Sequence, residues 1–229
     1  MPATRNKAPA AKTPVIKSSL SEQAFAQLEE MIVTLQLAPG TLWSEAALSE
    51  MLGIGRTPVR EAVQRLAEYH LVVIMRRHGI RIAQVNEQEQ LLVLETRREL
   101  ERLISTRAAR RASAEDKQTL AAMAQALLAA GEAGDVVEML RQYFVAKRFT
   151  ARCAGNRFSE QAIAPLYTLS RRFYFMHHQE LNDLVQVARL HAELLRAIAT
   201  GGEHETAAAC ARQIDYAESF AKAIITRGF

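Results

Sequence analysis

Short β-rich runs are confined to one stretch of this chain, residues 71 to 85, and everywhere else the apolar residues recur at helical spacing. Leu71-Val72-Val73-Ile74 and Ile80-Arg81-Ile82-Ala83-Gln84-Val85 read as two strands, joined by Met75-Arg76-Arg77-His78-Gly79, whose glycine suits a hairpin turn. Before them, Leu20, Ala24, Leu28, Met31, Ile32 and Leu35 recur at three- and four-residue steps and mark a first helix that ends before the Pro39-Gly40 turn pair. Ser44 is placed to cap a short second helix with Ala47, Leu48 and Met51 inward, and Gly53 to terminate it. Thr57 followed by Pro58 reads as a hydroxyl cap and a proline at the first helical position of a third helix, which buries Val59, Ala62, Val63 and Leu66. Three helices followed by a two-stranded hairpin is the order of a winged helix-turn-helix.

From Asn86 onward the strand signal vanishes and capping residues divide the sequence. Asn86 with Glu89, and Ser113 with Asp116, have capping-box spacing; Asp135 and Asn182 can cap two later helices, and Gly201-Gly202 closes another. The pattern predicts helices over 87–111, 114–130, 135–153, 157–177, 183–200 and 203–226, the fourth kinked or divided at Pro165. The chain is therefore expected to be mainly α, with a winged helix-turn-helix over 18–85 and an all-α helical bundle over 86–229. Residues 1–17 hold four basic side chains, three prolines and no acidic or aromatic residue, and are expected to form a flexible basic arm.

No run of 18 or more apolar residues occurs, and the opening segment lacks the apolar stretch of a secretory signal, so a soluble, cytoplasmic protein with no membrane partner is expected. The two cysteines, Cys153 and Cys210, fit neither a disulfide framework nor a zinc knuckle and are expected to be packed thiols. The net charge of +4 is unevenly spread: residues 56 to 81 hold six arginines against Glu61 and Glu68 alone. Such a local surplus suits a polyanionic partner, and equally a solvated charged face.

A helix-turn-helix reads DNA by laying its second helix in the major groove, where side chains near that helix's N-terminus reach base edges. Arg56 and Arg60, four residues apart at the start of the third helix, project from nearly one face. A guanidinium fork matches the O6 and N7 of guanine in a way that lysine does not. Thr57 is placed to meet phosphate, and Arg76, Arg77 and His78 stand beside Gly79, where a backbone can approach a duplex closely. Arg65, near the other end of the helix, is expected to meet solvent or a surface carboxylate. The string SEAALSEMLGIGRTPVREAVQRLAEYHLVV, followed by RRHGIRIAQV, resembles the DNA-binding domain of the GntR family of bacterial regulators over residues 20–85. That resemblance implies that Arg56, Thr57 and Arg60 occupy DNA-contacting positions and that Gly79 is the wing-tip glycine. Two departures stand out: Gly55 where the family usually has Ser or Thr, and His70 in place of a common Gly at the end of the recognition helix.

The second half, through RRELERLISTRAARRAS, CAGN at 153–156 and HAELLRAIATGGEHETAA, resembles the FadR-type subfamily. There a helical C-terminal FCD domain binds a small effector, frequently a carboxylate and in many members with a metal, so the resemblance implies that 86–229 carries effector binding and dimerisation. The metal-binding members hold the ion with an Asp and a His four residues apart on one helix, and two more histidines on the last two helices. Counted from Gly155-Asn156, those positions fall on Tyr143, Lys147, His191 and Ile214, or on Asp215 if the last helix slips by one; the apolar stripe around Cys210 favours an inward Ile214. One retained ligand does not hold a divalent ion tightly, so no metal cofactor is expected. The resemblance implies instead a metal-free effector pocket, in which Lys147 supplies positive charge, Tyr143 a hydrogen bond, and Arg97, in Arg-x-x-Leu-Glu with Leu100 and Glu101, a fork for a carboxylate beside His191. Other readings stay open: His191 as a satisfied core histidine, and Lys147 reaching out to solvent. His177-His178-x-Glu180 looks metal-like, but adjacent residues point to different sides of a helix.

The expected function is a DNA-binding transcriptional regulator, usually a repressor in this family, whose affinity for a palindromic double-stranded operator is modulated by a small organic effector. Two-fold symmetry asks for a homodimer with half-sites roughly 34 Å apart. The linker around Val85 to Glu89 is the expected hinge. The alternatives are the same regulator with a metal-dependent effector site, an architectural DNA-binding protein without a ligand, and an enzyme on a helical bundle with His191 as base or metal ligand. No Gly-x-Ser-x-Gly, His-Glu-x-x-His, P-loop or dinucleotide fingerprint supports the last.

Overall fold

Ser19 starts the first helix by reciprocal capping: its hydroxyl accepts from the Glu22 amide at 3.1 Å, while the Glu22 carboxylate accepts from the Ser19 amide at 2.9 Å. In the computed structural model, which describes residues 18–227, helix α1 spans Leu20–Val33 and buries Ala24, Phe25, Leu28, Ile32 and Val33. The stripe differs from the expected one at its ends. Leu20 is exposed, and Leu35 lies past the helix in a left-handed turn with φ +58°. The expected flexible arm, 1–17, lies outside the described residues.

Strand β1 (Leu42–Trp43), helices α2 (Glu45–Leu52) and α3 (Arg56–Glu68), and strands β2 (Val72–Met75) and β3 (Gly79–Ile82) complete the N-terminal unit. The sheet has three antiparallel strands in the order β1-β3-β2, with Leu42 opposite Arg81 and Met75 opposite Gly79. The two-stranded wing read from the sequence thus gains a third strand, too short to show any alternation. Gly79 has φ +96°, and a Cβ there would stand 2.5 Å from the Trp43 carbonyl oxygen, so β3 can start against β1 only without a side chain. His70, which stands in place of a common Gly, takes a left-handed conformation with φ +59°.

The start of α3 corrects the sequence reading. Gly55 is the N-cap, no side chain caps the helix, and Thr57 and Pro58 are already its second and third residues. First-turn amides have no intrahelical acceptor, so a proline there forfeits no hydrogen bond.

Helices α4 (Glu87–Arg111), α5 (Ala114–Glu132), α6 (Val136–Ala154), α7 (Arg157–Leu181), α8 (Leu184–Thr200) and α9 (Glu203–Arg227) build the rest. Asn86, Ser113 and Asp135 cap as expected, although Asn86 acts alone rather than in a reciprocal box with Glu89. Helix α7 runs on to Leu181 and passes Pro165 without dividing; Asn182, at φ +50°, closes it, and Asp183 takes the cap position of α8 assigned to Asn182 from the sequence. Helix α5 lies along α8 so closely that a Cβ on Gly131 would come within 2.5 Å of the Ala188 Cβ. Helix α4 packs along α9, and Ile104, Leu120, Leu127, Met139, Leu194 and Ile198 are among the core side chains. Each such side chain contributes about 1.5–3 kcal/mol by burial. Cys153 and Cys210 are free thiols, both pushed up to about 11 by burial. Among the described residues no helix is long and apolar enough to cross a membrane.

The two halves meet where α1 packs on α7. Leu169 packs against the winged-helix core, the Thr168 hydroxyl donates to Glu29, Arg171 Nη2 donates to Glu30 at 2.7 Å, and Arg172 Nη2 donates to the Ala83 carbonyl at 2.6 Å. Arg172 is buried without a carboxylate partner, and that burial lowers its pKa to about 10.

Candidate functional site

Helix α3 buries Val59, Ala62, Val63 and Leu66, which leaves Arg56, Thr57 and Arg60 together on its exposed side at the N-terminal end. The Arg60 side chain keeps 61% of its surface exposed while its guanidinium chelates Glu45, in the first turn of α2, through Nε and Nη2. The hydrogen bonds and charge of Glu45 raise the Arg60 pKa. Arg76, Arg77 and His78 are exposed in the turn between β2 and β3, with Arg77 at φ +65°. Arg65 is exposed to solvent as expected, and its guanidinium also stacks 4.0 Å from the Phe25 ring centroid, fastening α3 to α1.

In the helical half, three helices each supply a pair of side chains one turn apart. Arg97 and Glu101 come from α4, Tyr143 and Lys147 from α6, and Tyr167 and Arg171 from α7. His191 of α8 and Gln213 of α9 complete the group. Glu101 is fully buried and receives Arg97 Nε at 2.9 Å as well as the Lys147 ammonium; Lys147 also donates to Gln213 Oε1 at 2.8 Å, and Arg97 Nη2 donates to the Tyr143 hydroxyl at 3.0 Å. Burial alone would raise the Glu101 pKa, yet Lys147 and Arg97 hold it down to about 2. Burial lowers the Lys147 pKa and lifts the Tyr143 phenol to about 12, so Tyr143 is a neutral donor. Burial, with the Lys147 charge nearby, pushes His191 down to about 3. Two cations facing one carboxylate leave this buried cluster a surplus of positive charge.

Beside the cluster lies a cavity of about 70 Å³, enough for several waters or part of a small organic molecule. Arg97, Tyr143, His191 and Gln213 supply polar groups to its wall, Arg171 and Ser170 more, and Leu140, Phe173, Val187 and Phe220 an apolar surface. Of the four pocket residues read from the sequence, Arg97, Tyr143 and His191 line this cavity. Lys147 stands one layer behind, against a void of about 10 Å³ that also touches Tyr143 and His191. It is buried and ion-paired rather than reaching out to solvent.

At the position aligned with a fourth metal ligand, Ile214 faces inward as expected. Asp215 pairs with Arg98 at 2.7 Å instead, and the neighbouring Gln213 faces His191 and Lys147. A polar residue inside the apolar stripe of α9 was the available signal. Arg171 was missed because nothing local to α7 marks it. His177 and His178 diverge, with His177 Nδ1 on Glu180 at 2.7 Å and His178 Nδ1 on the Phe175 carbonyl. Among the described residues no three His, Cys, Asp or Glu side chains converge as metal ligands.

Residues 20–82 match the family described as bacterial regulatory proteins, gntR family, and residues 92–216, more than half of the chain, match the FCD domain. The chain belongs to the GntR family. Its FCD domain is the feature expected of a FadR-type member. A GntR relative, the HTH-type transcriptional regulator Mce2R of Mycobacterium tuberculosis, is 40% identical over 62 residues, 27% of this chain and 26% of that one. An HTH-type transcriptional regulator in an unstable DNA locus of Streptomyces ambofaciens is 39% identical over 62 residues, with the same coverage. The matched segment thus spans about a quarter of these curated relatives. The fold is also that of E. coli McbR/YncC, at a TM-score of 0.80 and 18% identity, covering 91% of this chain and 100% of that one. A GntR regulator from Rhodococcus sp. RHA1 superposes with a TM-score of 0.71 and 15% identity, over 90% and 99% of the two chains.

Proposed function

We propose that this chain is a cytoplasmic DNA-binding transcriptional regulator, a repressor, that grips a two-fold operator as a homodimer and is modulated by a small carboxylate held in the helical half. The observation that carries the reading is the exposed Arg56, Thr57 and Arg60 at the free N-terminal end of α3. Side chains there reach base edges when the helix enters the major groove, while Arg76, Arg77, His78 and Gly79 of the wing follow the backbone. Selection of bound fragments from a random DNA library tests it: enrichment of a two-fold sequence is expected, and binding without sequence preference contradicts it.

The cavity suits an anion with an apolar body. Arg97 keeps a surplus of positive charge at one side, Tyr143 and Gln213 offer hydrogen bonds, and the phenylalanines and leucines cover the rest. The residues at the family's metal positions do not fit a divalent ion. Tyr143 is held neutral, Lys147 is a cation engaged with Glu101, Ile214 has no ligating atom, Gln213 beside it offers only a weak amide oxygen, and His191 alone is a strong ligand. The site is accordingly metal-free, with Arg97 facing the cavity and the Lys147 ammonium, one layer behind, offsetting the Glu101 charge.

A further inference from the structure

Helix α7 touches both halves of the molecule at once. Thr168, Leu169, Arg171 and Arg172 meet the winged helix, whereas Ser170, Arg171, Phe173 and Tyr174 line the cavity. Arg171 belongs to both sets. It is 2% exposed, its Nη2 donates to Glu30 of α1, its guanidinium lies 4.4 Å from the Phe144 ring centroid, and its Nε and Nη1 have no hydrogen-bond partner. Buried donors without acceptors are rare in folded chains and point to an acceptor that arrives.

The shape of the guanidinium decides what that arrival does. Its two forked edges pair Nη2 with Nε or with Nη1, so a carboxylate that binds it in two-pronged fashion shares Nη2 with Glu30 and stands beside the Glu30 carboxylate on one guanidinium. Glu29, hydrogen-bonded to Thr168, already shares the Arg171 charge. A further carboxylate would place several negative groups around one guanidinium, and Glu30, whose side chain is 31% exposed, is the one free to leave for water.

We propose that Arg171 relays cavity occupancy to the reading head: a carboxylate entering the cavity engages Arg171 at the expense of Glu30 and loosens α1 from α7. This rests on the cavity being a carboxylate site. Ligand and Glu30 are like charges that share one guanidinium, so each weakens the other by the same factor. Releasing α1 changes the angle or mobility of the winged helix that it anchors.

The test uses the full chain with benzoate, phenylacetate and hexanoate as probes, calorimetry for affinity and hydrogen exchange for peptides within 20–33. Wild-type protein is expected to bind at least one probe and to exchange faster in α1 when it does. Glu30→Gln, a mild change at a partly exposed side chain, is expected to bind that probe about five-fold tighter or more. Its α1 should exchange fast already and ignore the probe. Arg171→Lys keeps the charge but loses the fork, and is expected to bind more weakly. If wild type binds but Glu30→Gln binds no tighter, or its α1 still responds as in wild type, the relay is wrong. If wild type binds none of the three probes, the carboxylate reading of the cavity falls first and the relay with it.

Discussion

The guanidinium of Arg60 closes on both carboxylate oxygens of Glu45, with Nε at 3.1 and 3.0 Å and Nη2 at 2.9 Å. The fork needed for a guanine is thus already engaged by a neighbour on α2, in solvent where such a pair is easily exchanged. Removing the carboxylate frees the fork and removes a negative charge from a surface meant for a polyanion. Glu45→Gln is therefore expected to tighten operator binding by about two- to ten-fold, read by fluorescence anisotropy. Weaker binding by this variant would mean that Glu45 holds Arg60 in its reading position.

Glu101 is a buried carboxylate whose charge is met by Lys147 and Arg97. Lys147→Met leaves Arg97 alone to neutralise it and strips a donor from Gln213. The expected loss is about 3–5 kcal/mol in urea unfolding, because a charge is left under-compensated in the interior. Adding Glu101→Gln to that variant should recover part of the loss. A loss under about 1 kcal/mol would show that water reaches the site.

Acidification acts through His191. It is held at about 3 in the folded chain against an ordinary 6.5, so between those values the unfolded chain binds the extra proton. The contribution to stability is complete above pH 6.5 and falls on acidification, by up to about 1.4 kcal/mol per pH unit. Glu101, held at about 2 against 4.5, adds a second loss of the same sign below pH 4.5. His191→Phe should flatten the stability curve between about pH 5 and 6.5 in urea unfolding; an unchanged slope would mean that another group titrates there.

Purified protein is expected to contain far less than one equivalent of zinc or another transition metal by elemental analysis, and chelators should leave its melting temperature unchanged. Stoichiometric metal that survives dialysis would contradict the donor set of Tyr143, Lys147, His191 and Gln213.

Several helix limits in the second half were legible because local chemistry marks them, whereas α4 and α5 end on the unmarked Ala112 and Ala133. The Asn86, Ser113 and Asp135 side chains satisfy first-turn amides, and Gly155 and Gly201 take left-handed conformations at C-termini. Where two cap formers adjoin, local chemistry does not choose between them. Asn182 and Asp183 divided the work between two helices, Asp183 being also the acceptor for the Tyr174 and Tyr216 hydroxyls. Strand β1 was invisible, since a two-residue strand exists only through its partner β3.

The recognition residues of α3 were readable as a local string. The cavity was readable only in part, through Arg97, Tyr143 and His191, because positions on single helices can be counted. Gln213 and Arg171 owe their places to packing between helices: Gln213 to the α9 rotation that turns it toward Lys147, and Arg171 to the contact of α7 with α1. No periodicity within one segment carries that information.

The most direct test of the account is the operator affinity of Arg56→Ala and Arg60→Ala against wild type, measured alongside an unrelated duplex at the same salt concentration. Both variants are expected to lose about ten- to a hundred-fold for the selected operator while their affinity for the unrelated duplex changes far less. Normal, sequence-specific binding by both would contradict the reading of α3 as the element that recognises DNA.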